Sequence, residues 1–250
     1  MIKTITPVII AKNADETILE TLNSLVEFNE VILYLNNSTD DTKNIGNKFS
    51  NVKIIDGDFL GFGPTKNKAT QYSSNDWILS LDSDEVILPK LFQEIKDLDL
   101  DDNKKVFIIK RDNYFLNKKV KYGGWGNDYI ARLYNKHQHH FNNNMVHEFI
   151  KIKKNTIKIR LKHSFKHNAI INISQQLLKM ERYSTIYAKD KKNKKNSSLF
   201  IAILHSLFFF VKNYIFRLGF LDGFAGFMLC ISGANSVFYK YIKLYLENSK

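Results

Sequence analysis

Trp77-Ile78-Leu79-Ser80-Leu81-Asp82-Ser83-Asp84 is a short apolar run that ends on two carboxylates two residues apart. Side chains of a strand alternate between its faces. A chain that turns at Leu81 can therefore aim Asp82 and Asp84 into one crevice and Ser83 away from it. Hard oxygen ligands of this kind suit magnesium or manganese carrying a substrate diphosphate better than they suit zinc. The same residues also read as ordinary turn chemistry: Asp82-Ser83-Asp84-Glu85 before Val86, Ile87, Leu88 and Pro89 could cap a helix or start a turn. The flanking pattern has to decide.

Upstream, Val8-Ile9-Ile10-Ala11 and Val31-Ile32-Leu33-Tyr34-Leu35 read as buried strands, and between them Ile18, Leu19, Leu22, Leu25 and Val26 recur at helical spacing. A helix from Asp41 to Phe49, a strand at Val52-Lys53-Ile54-Ile55, and a helix from Thr65 to Tyr72 after Gly61-Phe62-Gly63-Pro64 lead to Trp77. Strand alternating with helix four times over predicts an α/β domain with a mainly parallel, doubly wound sheet. Ligands of such sheets bind at the carboxyl ends of the strands, where Asn36, Asn37 and Asp82-Ser83-Asp84 fall. From Val106 the pattern changes to short extended segments, Val106 to Arg111 and Ile130 to Tyr134, after an acidic linker, Asp97 to Asp102. Ser174 to Ala188 reads as an amphipathic helix and Lys189 to Asn196 as an exposed basic link.

Charge divides the chain. Residues 1–150 hold 18 Lys+Arg against 21 Asp+Glu, and residues 151–250 hold 19 against 4. Such asymmetry signals an acidic partner for the second part, nucleic acid or anionic lipid. Nucleic acid is disfavoured, because the basic third is interleaved with long apolar stretches where phosphate binders show a polar basic face with exposed aromatics. Leu199 to Val211 is thirteen largely apolar residues closed by Lys212, short of the roughly 20 that span a bilayer. Leu218 to Tyr239 is longer but carries Asp222, Asn235 and four glycines, and a carboxylate in lipid is costly. Helices lying on a membrane surface, or packed on the core, are the expectation. The single cysteine, Cys230, sits among Phe227, Met228, Leu229 and Ile231 and reads as a buried thiol in a reducing compartment. Met1 to Pro7 runs into an apolar strand without a long apolar signal segment, which reads as a cytosolic start.

The order of the pieces is specific. Ala11-Lys12-Asn13, Asn37-Ser38-Thr39-Asp40-Asp41-Thr42, Gly61-Phe62-Gly63-Pro64-Thr65-Lys66-Asn67 and Leu81-Asp82-Ser83-Asp84-Glu85, in that sequence, resemble the family-two glycosyltransferases of the GT-A fold. Later blocks narrow the likeness: Gly123 to Tyr129 with Arg132-Leu133-Tyr134, Val146-His147-Glu148, Arg217 to Gly223, and Tyr239 to Leu244. Together they resemble the subgroup that adds glucose to the inner core of lipopolysaccharide or lipooligosaccharide. The resemblance covers almost the whole chain and implies a GT-A domain over residues 1–165. Residues 1–100 form its nucleotide-sugar half and residues 101–165 its acceptor half, with a helical, basic, membrane-surface extension over residues 166–250.

What the resemblance implies for chemistry is an inverting, Mn2+- or Mg2+-dependent transfer of a hexose, glucose from UDP-glucose, to a core sugar of a membrane glycolipid. It would act at the cytoplasmic face of the inner membrane. Asp84 is the implied direct cation ligand, with Asp82 near the ribose or a metal-bound water and His147 completing the metal site. Pro7, Ala11, Asn13, Asn36, Asn37, Lys66, Asn67 and Arg132 join the two aspartates as implied donor contacts, and Gly124, Trp125 and Tyr129 are implied acceptor contacts. Asp128 matches the catalytic carboxylate, the base that takes the proton of the attacking hydroxyl, and Glu148 is the second candidate. Each has a plainer alternative: a turn residue for Asp128, a structural hydrogen bond for His147, a surface ion pair for Arg132, and core packing for Tyr114, Trp125 and Tyr129. His137, His139 and His140 read as a hairpin turn, with no carboxylate or cysteine at zinc spacing.

Two positions depart from the family pattern. Leu35 stands where relatives carry an aspartate that contacts the base or ribose, with Asn36 or Asn37 as substitutes, and Thr65 stands where glutamine is usual. A polyprenyl-linked or capsule-precursor acceptor is the alternative within the same chemistry. A non-catalytic membrane- or nucleic-acid-binding protein that keeps the fold is the alternative of another class.

Overall fold

Continuous apolar runs make strands here because both faces of the sheet are covered. The structure is a computed structural model that describes residues 1–144 and 148–249. It opens with β1 (Ile5–Ala11), α1 (Asp15–Asn23), β2 (Val31–Leu35), α2 (Thr42–Gly46), β3 (Val52–Asp56), α3 (Phe62–Thr70) and β4 (Trp77–Asp82). These four strands pair in parallel in the order β3-β2-β1-β4. Every residue of β1 and β2 is buried. Ile9, Leu33, Leu79 and Leu81 pack with Ile18, Leu22, Leu25 and Phe28 on one face, and Val8, Ile10, Ile32, Tyr34 and Ile78 pack with Ala69 and Phe141 on the other. Burying a side chain of this size stabilises a fold by about 1.5–3 kcal/mol. The register sets Ala11 beside Leu35, Leu35 beside Asp56, and Ile10 beside Asp82, so the carboxyl ends form one edge.

Then follow β5 (Glu85–Val86), α4 (Pro89–Lys96), β6 (Lys105–Phe115), β7 (Lys118–Lys119), β8 (Asp128–Asn135) and β9 (Ile157–Ile170). They extend the sheet as β4-β8-β6-β9-β5, with β8 antiparallel to β4 and to β6, and β5 antiparallel to β9. α3 starts three residues before Thr65, because Gly61 (φ 101°) supplies a turn that L side chains rarely adopt and Pro64 is tolerated in a first turn.

The described residues group into two compact units, residues 1–111 with 128–167, and residues 112–127 with 168–250. Residues 112–127 thus group with the C-terminal helices and not with the first 165 residues as expected. The reason is a separate apolar cluster of Phe115, Val120, Ile170, Ala225 and Leu229. The second unit contains α5 (Ile173–Lys191), α6 (Leu199–Val211) and α7 (Phe224–Asn248). α6 does not end at Val211: a π-helical turn, Lys212–Phe216, carries it on to make 18 residues, Leu199–Phe216, of mean hydropathy 1.8. That is long and apolar enough to cross a membrane, and it corrects the thirteen-residue reading. Lys212 does not stop the helix because its ammonium lies over the Phe208 ring, 5.7 Å from the centroid, while Asn213 Nδ2 donates to the Phe209 carbonyl.

The block Arg217 to Gly223 is a tight turn with a buried clamp. Leu218 and Gly223 take positive φ (58° and 60°). A Cβ on Gly226 would sit 1.9 Å from the Gly219 carbonyl oxygen. Asp222 is buried and its carboxylate accepts the backbone N–H groups of Lys121 and Tyr122 (2.9–3.1 Å). Cys230 is buried, and burial pushes its thiol up.

Candidate active site

Asp82 is the last residue of β4, and Ser83 and Asp84 form the turn into β5. α4 begins later, at Pro89, with Leu88 as its N-cap and no side-chain cap, so the acidic motif is a strand-end turn and not a helix cap. Lys66, buried on α3, donates through Nζ to Asp82 Oδ1 (2.7 Å) and Glu148 Oε1 (2.9 Å). Arg132, on β8, donates through Nη2 to Asp82 Oδ2 (2.6 Å) and to Glu85 Oε1. Glu85 is fully buried, and its other oxygen accepts the backbone N–H of Asp82 (3.0 Å). Arg111 faces Asp128 across the β6–β8 pair. Its Nε and Nη2 both lie 2.7 Å from Asp128 Oδ2, and its Nη1 lies 3.5 Å from Glu85. Four carboxylates and three cations thus form one chain, Glu148–Lys66–Asp82–Arg132–Glu85–Arg111–Asp128.

Asp84 Oδ2 lies 3.6 Å from Nε2 of His167, which β9 holds opposite Glu85. His167 was not among the expected residues. The signal was available in the alternation Ile157, Ile159, Leu161, His163, Phe165, His167, Ala169, which marks one face of a strand whose other face is mostly Lys, Arg and Ser. His147, the expected third ligand, lies outside the described residues.

The model of "Glycosyl transferase family 2" matches residues 6–214. The chain belongs to this glycosyltransferase family. Two relatives from Rickettsia typhi and Rickettsia prowazekii, each named an uncharacterized glycosyltransferase, are 30% identical to it, with 97% of this chain and 87% of each relative covered. Among solved structures, S. aureus TarS 1-349 in complex with UDP-GlcNAc is similar at a TM-score of 0.48 and 14% identity, over 98% of this chain and 89% of that one. Glucosyl-3-phosphoglycerate synthase from Mycobacterium tuberculosis, in complex with Mn2+, UDP and glucosyl-3-phosphoglycerate, matches 44% of each chain at 24% identity and a TM-score of 0.36.

The donor set of this glycosyltransferase fits a hard divalent cation. Asp84 offers one carboxylate at a strand-end turn, and magnesium is bound through one or two carboxylates and completes its shell with phosphate oxygens and water, while the neighbouring His167 imidazole is a softer donor. Among the described residues no group of three or more His, Cys, Asp or Glu could hold the ion alone.

The remaining expected donor residues divide by position. Ala11 ends β1, and Asn36 follows β2, buried, with Oδ1 lacking a hydrogen-bond partner. Asn37 has positive φ (54°). Asn13 spends its side-chain oxygen on the Thr39 N–H (2.8 Å), and Asp40 accepts from Asp15 and Thr42. The Asn37-to-Thr42 block is therefore held as a loop by hydrogen bonds to residues 13–15 and by the Asp40–Thr42 contacts within it. Asn67 pairs with the Phe141 backbone through both side-chain atoms (2.8 and 3.0 Å), which fixes α3 and with it Lys66. Pro7 is buried four residues before the end of β1, registered opposite Leu79 of β4 and not at the carboxyl edge. Leu35 is part of the apolar core. Thr65 is buried with its hydroxyl on the Leu60 N–H (2.9 Å), a structural role. Of the acceptor residues, Tyr129 is exposed with the Arg160 guanidinium over its ring (4.9 Å), while Gly124 and Trp125 belong to the second unit.

Burial alone would raise the Asp82 carboxyl, but Arg132 and Lys66 outweigh it and hold the group well below the usual carboxylate range. Burial drives Glu85 the other way, and Arg132 does not fully offset it. For a depressed acid, the stabilisation is present above the unfolded pKa, ordinarily 3.8, and is lost as pH falls through the folded value. The difference in Tm between wild type and Asp82→Asn is therefore expected to be flat from neutral pH to about pH 5 and to shrink below 3.8. A difference that grows on acidification would contradict the pairing.

Proposed function

We propose that this glycosyltransferase moves a hexose, glucose from UDP-glucose, onto a core sugar of lipopolysaccharide or lipooligosaccharide, with inversion and with Mn2+ or Mg2+. The observation that carries the donor reading is the gathering of Lys66, Asp82, Asp84, Arg132 and His167 at the carboxyl ends of the sheet. A nucleotide diphosphate would meet Lys66 and Arg132 there, and the chain of ion pairs that uses them has one carboxylate more than it has cations. A dianionic diphosphate would add to that excess, which favours a cation beside Asp84 and His167. When bound, the ion takes up charge on the departing diphosphate. Asn36 Oδ1, a buried acceptor without a partner, suits an N–H of a pyrimidine base. Asp128, oriented by Arg111, would accept the proton of the acceptor hydroxyl as that oxygen bonds the anomeric carbon and the sugar–phosphate bond breaks. The acceptor class and the cytoplasmic membrane face rest on the resemblance of the later sequence blocks, and the exposed apolar helix of the second unit supports a membrane substrate.

Thermal unfolding with UDP and manganese tests the donor site. A ligand at about a hundred times its Kd adds about 2.7 kcal/mol, which raises Tm by roughly 5–10 °C for a chain of this size. No rise with any nucleoside diphosphate would remove the donor site. Label transfer from UDP-glucose to a core glycolipid, with polyprenyl-linked acceptors as comparison, then tests the acceptor.

A further inference from the structure

The second unit contains a cavity of about 410 Å³ to which the proposed transfer step assigns no residue. The glycine-rich loop, with Gly124 and Trp125, forms one wall, and α6, the π turn and α7 form the others. Three cations line it: Lys212, Arg217 and Lys240. None of them has a carboxylate partner among the described residues. Lys212 lies over Phe208, Lys240 lies over Tyr187 and Tyr241 (4.6 and 5.5 Å), and Arg217 Nη1 reaches only Asn213 Oδ1 (3.3 Å). No Asp or Glu lines the cavity. The single acidic residue between 191 and 246 is Asp222, whose carboxylate is taken by the loop backbone. Three cations without a carboxylate partner around one concave space are complementary to a phosphate.

The surroundings decide what carries that phosphate. α6, the π turn and the start of α7 expose Phe200 (69%), Phe208 (64%), Phe216 (79%) and Phe224 (67%), and only 11% of the Leu199–Phe216 segment is buried. Of these, Phe208 lines the cavity itself, together with Phe209 and Leu229, and a site for a soluble anion needs no such apolar wall. Cations whose stems run along apolar surface, with aromatic side chains beside them, match the depth of lipid phosphates at a bilayer interface. We infer that this cavity binds the phosphate-bearing head group of a membrane lipid, with the lipid chains against the exposed face of α6. The inference deepens the glycolipid reading and rests on it only for the identity of the acceptor, because the lipid contact is made without the donor site.

The test uses the full chain and vesicles of phosphatidylcholine with or without phosphatidic acid. Wild type is expected to favour the phosphatidic acid vesicles and to change the emission of Trp125; the other tryptophan, Trp77, is buried in the core of the first unit. Trp125→Phe should abolish the spectral change. Lys212→Gln/Arg217→Gln/Lys240→Gln should weaken binding by on the order of a hundredfold, about fivefold for each cation near an anionic surface. Lys153→Gln/Lys154→Gln/Lys158→Gln, which removes the same charge from exposed positions of the first unit, should cost far less. Equal losses in the two triple variants would overturn the site in favour of diffuse attraction. An equal Trp125 response to inorganic phosphate alone would overturn the lipid as its source, and binding without any Trp125 response would overturn the cavity. A UDP-dependent rise in Tm retained by the cavity variant shows that it is folded. Absence of that rise in wild type would count against the donor reading and leave the lipid result standing.

Discussion

Arg132→Met is expected to destabilise the fold by about 3–5 kcal/mol, the cost of leaving buried charge without its partner. Arg132 is buried and touches two carboxylates at once, Asp82 at the carboxyl end of β4 and Glu85, which has no exposure. Without the guanidinium, Glu85 keeps the Asp82 N–H and the Arg111 cation at 3.5 Å, and Asp82 keeps Lys66, which Glu148 shares. Lysine cannot substitute, because a single ammonium does not reproduce the planar fork that serves both partners, so Arg132→Lys should fall between wild type and methionine. Neutralising Glu85 in the same chain, as Arg132→Met/Glu85→Gln, should recover part of the loss, since one of the stranded charges is then gone. Urea unfolding gives the test: the midpoint should fall with an unchanged slope. A loss below about 1 kcal/mol, the range of exposed ion pairs, would mean that solvent already serves these carboxylates.

The features that set this cluster in place were unequally legible in the sequence. β1, β2 and β4 could be read directly, because strands buried along their length are written as nearly unbroken apolar runs, and the edge strand β3 by its Val52, Ile54 and Ile55. The motif Asp82-Ser83-Asp84 was legible as a strand end, since Leu81 is the last core residue before it. β9 was hidden by its lysines and histidines, although every second residue from Ile157 to Phe165 except His163 is apolar. With β9 went His167, whose position beside Asp84 depends on a strand pairing of more than 80 residues' separation. The partners of Asp128 and Lys66 were illegible for the same reason. Arg111 meets Asp128, and Glu148 meets Lys66, only through tertiary register.

In the C-terminal third, composition conveyed the basic and apolar character but not the division of the chain. From sequence, the block Arg217 to Gly223 carries only the family resemblance and no structural role. In the fold its glycines allow backbone to touch backbone, and Asp222 holds the loop that carries Gly124 and Trp125. The same carboxylate that argues against a simple lipid span has a structural use that no local pattern announces.

Asp128→Asn is expected to lower kcat by about 10²–10⁴-fold, the usual worth of a positioned general base, while KM for the donor and the UDP-dependent rise in Tm persist. The geometry makes the separation sharp. Asp128 is held through Oδ2 by two nitrogens of Arg111, and asparagine keeps an oxygen there while losing the capacity to take a proton. The proposed donor contacts Lys66, Asp82 and Arg132 are linked to Asp128 through Glu85 and Arg111. Losing its charge balances the ion-pair chain at three against three and should not repel a diphosphate. Glu148→Gln behaves differently, because Glu148 shares Lys66 with Asp82. Its loss should disturb donor KM more than kcat. Full turnover in Asp128→Asn together with a collapse of kcat in Glu148→Gln would move the base to Glu148, and the Arg111–Asp128 pair would then be a strand-pairing device alone.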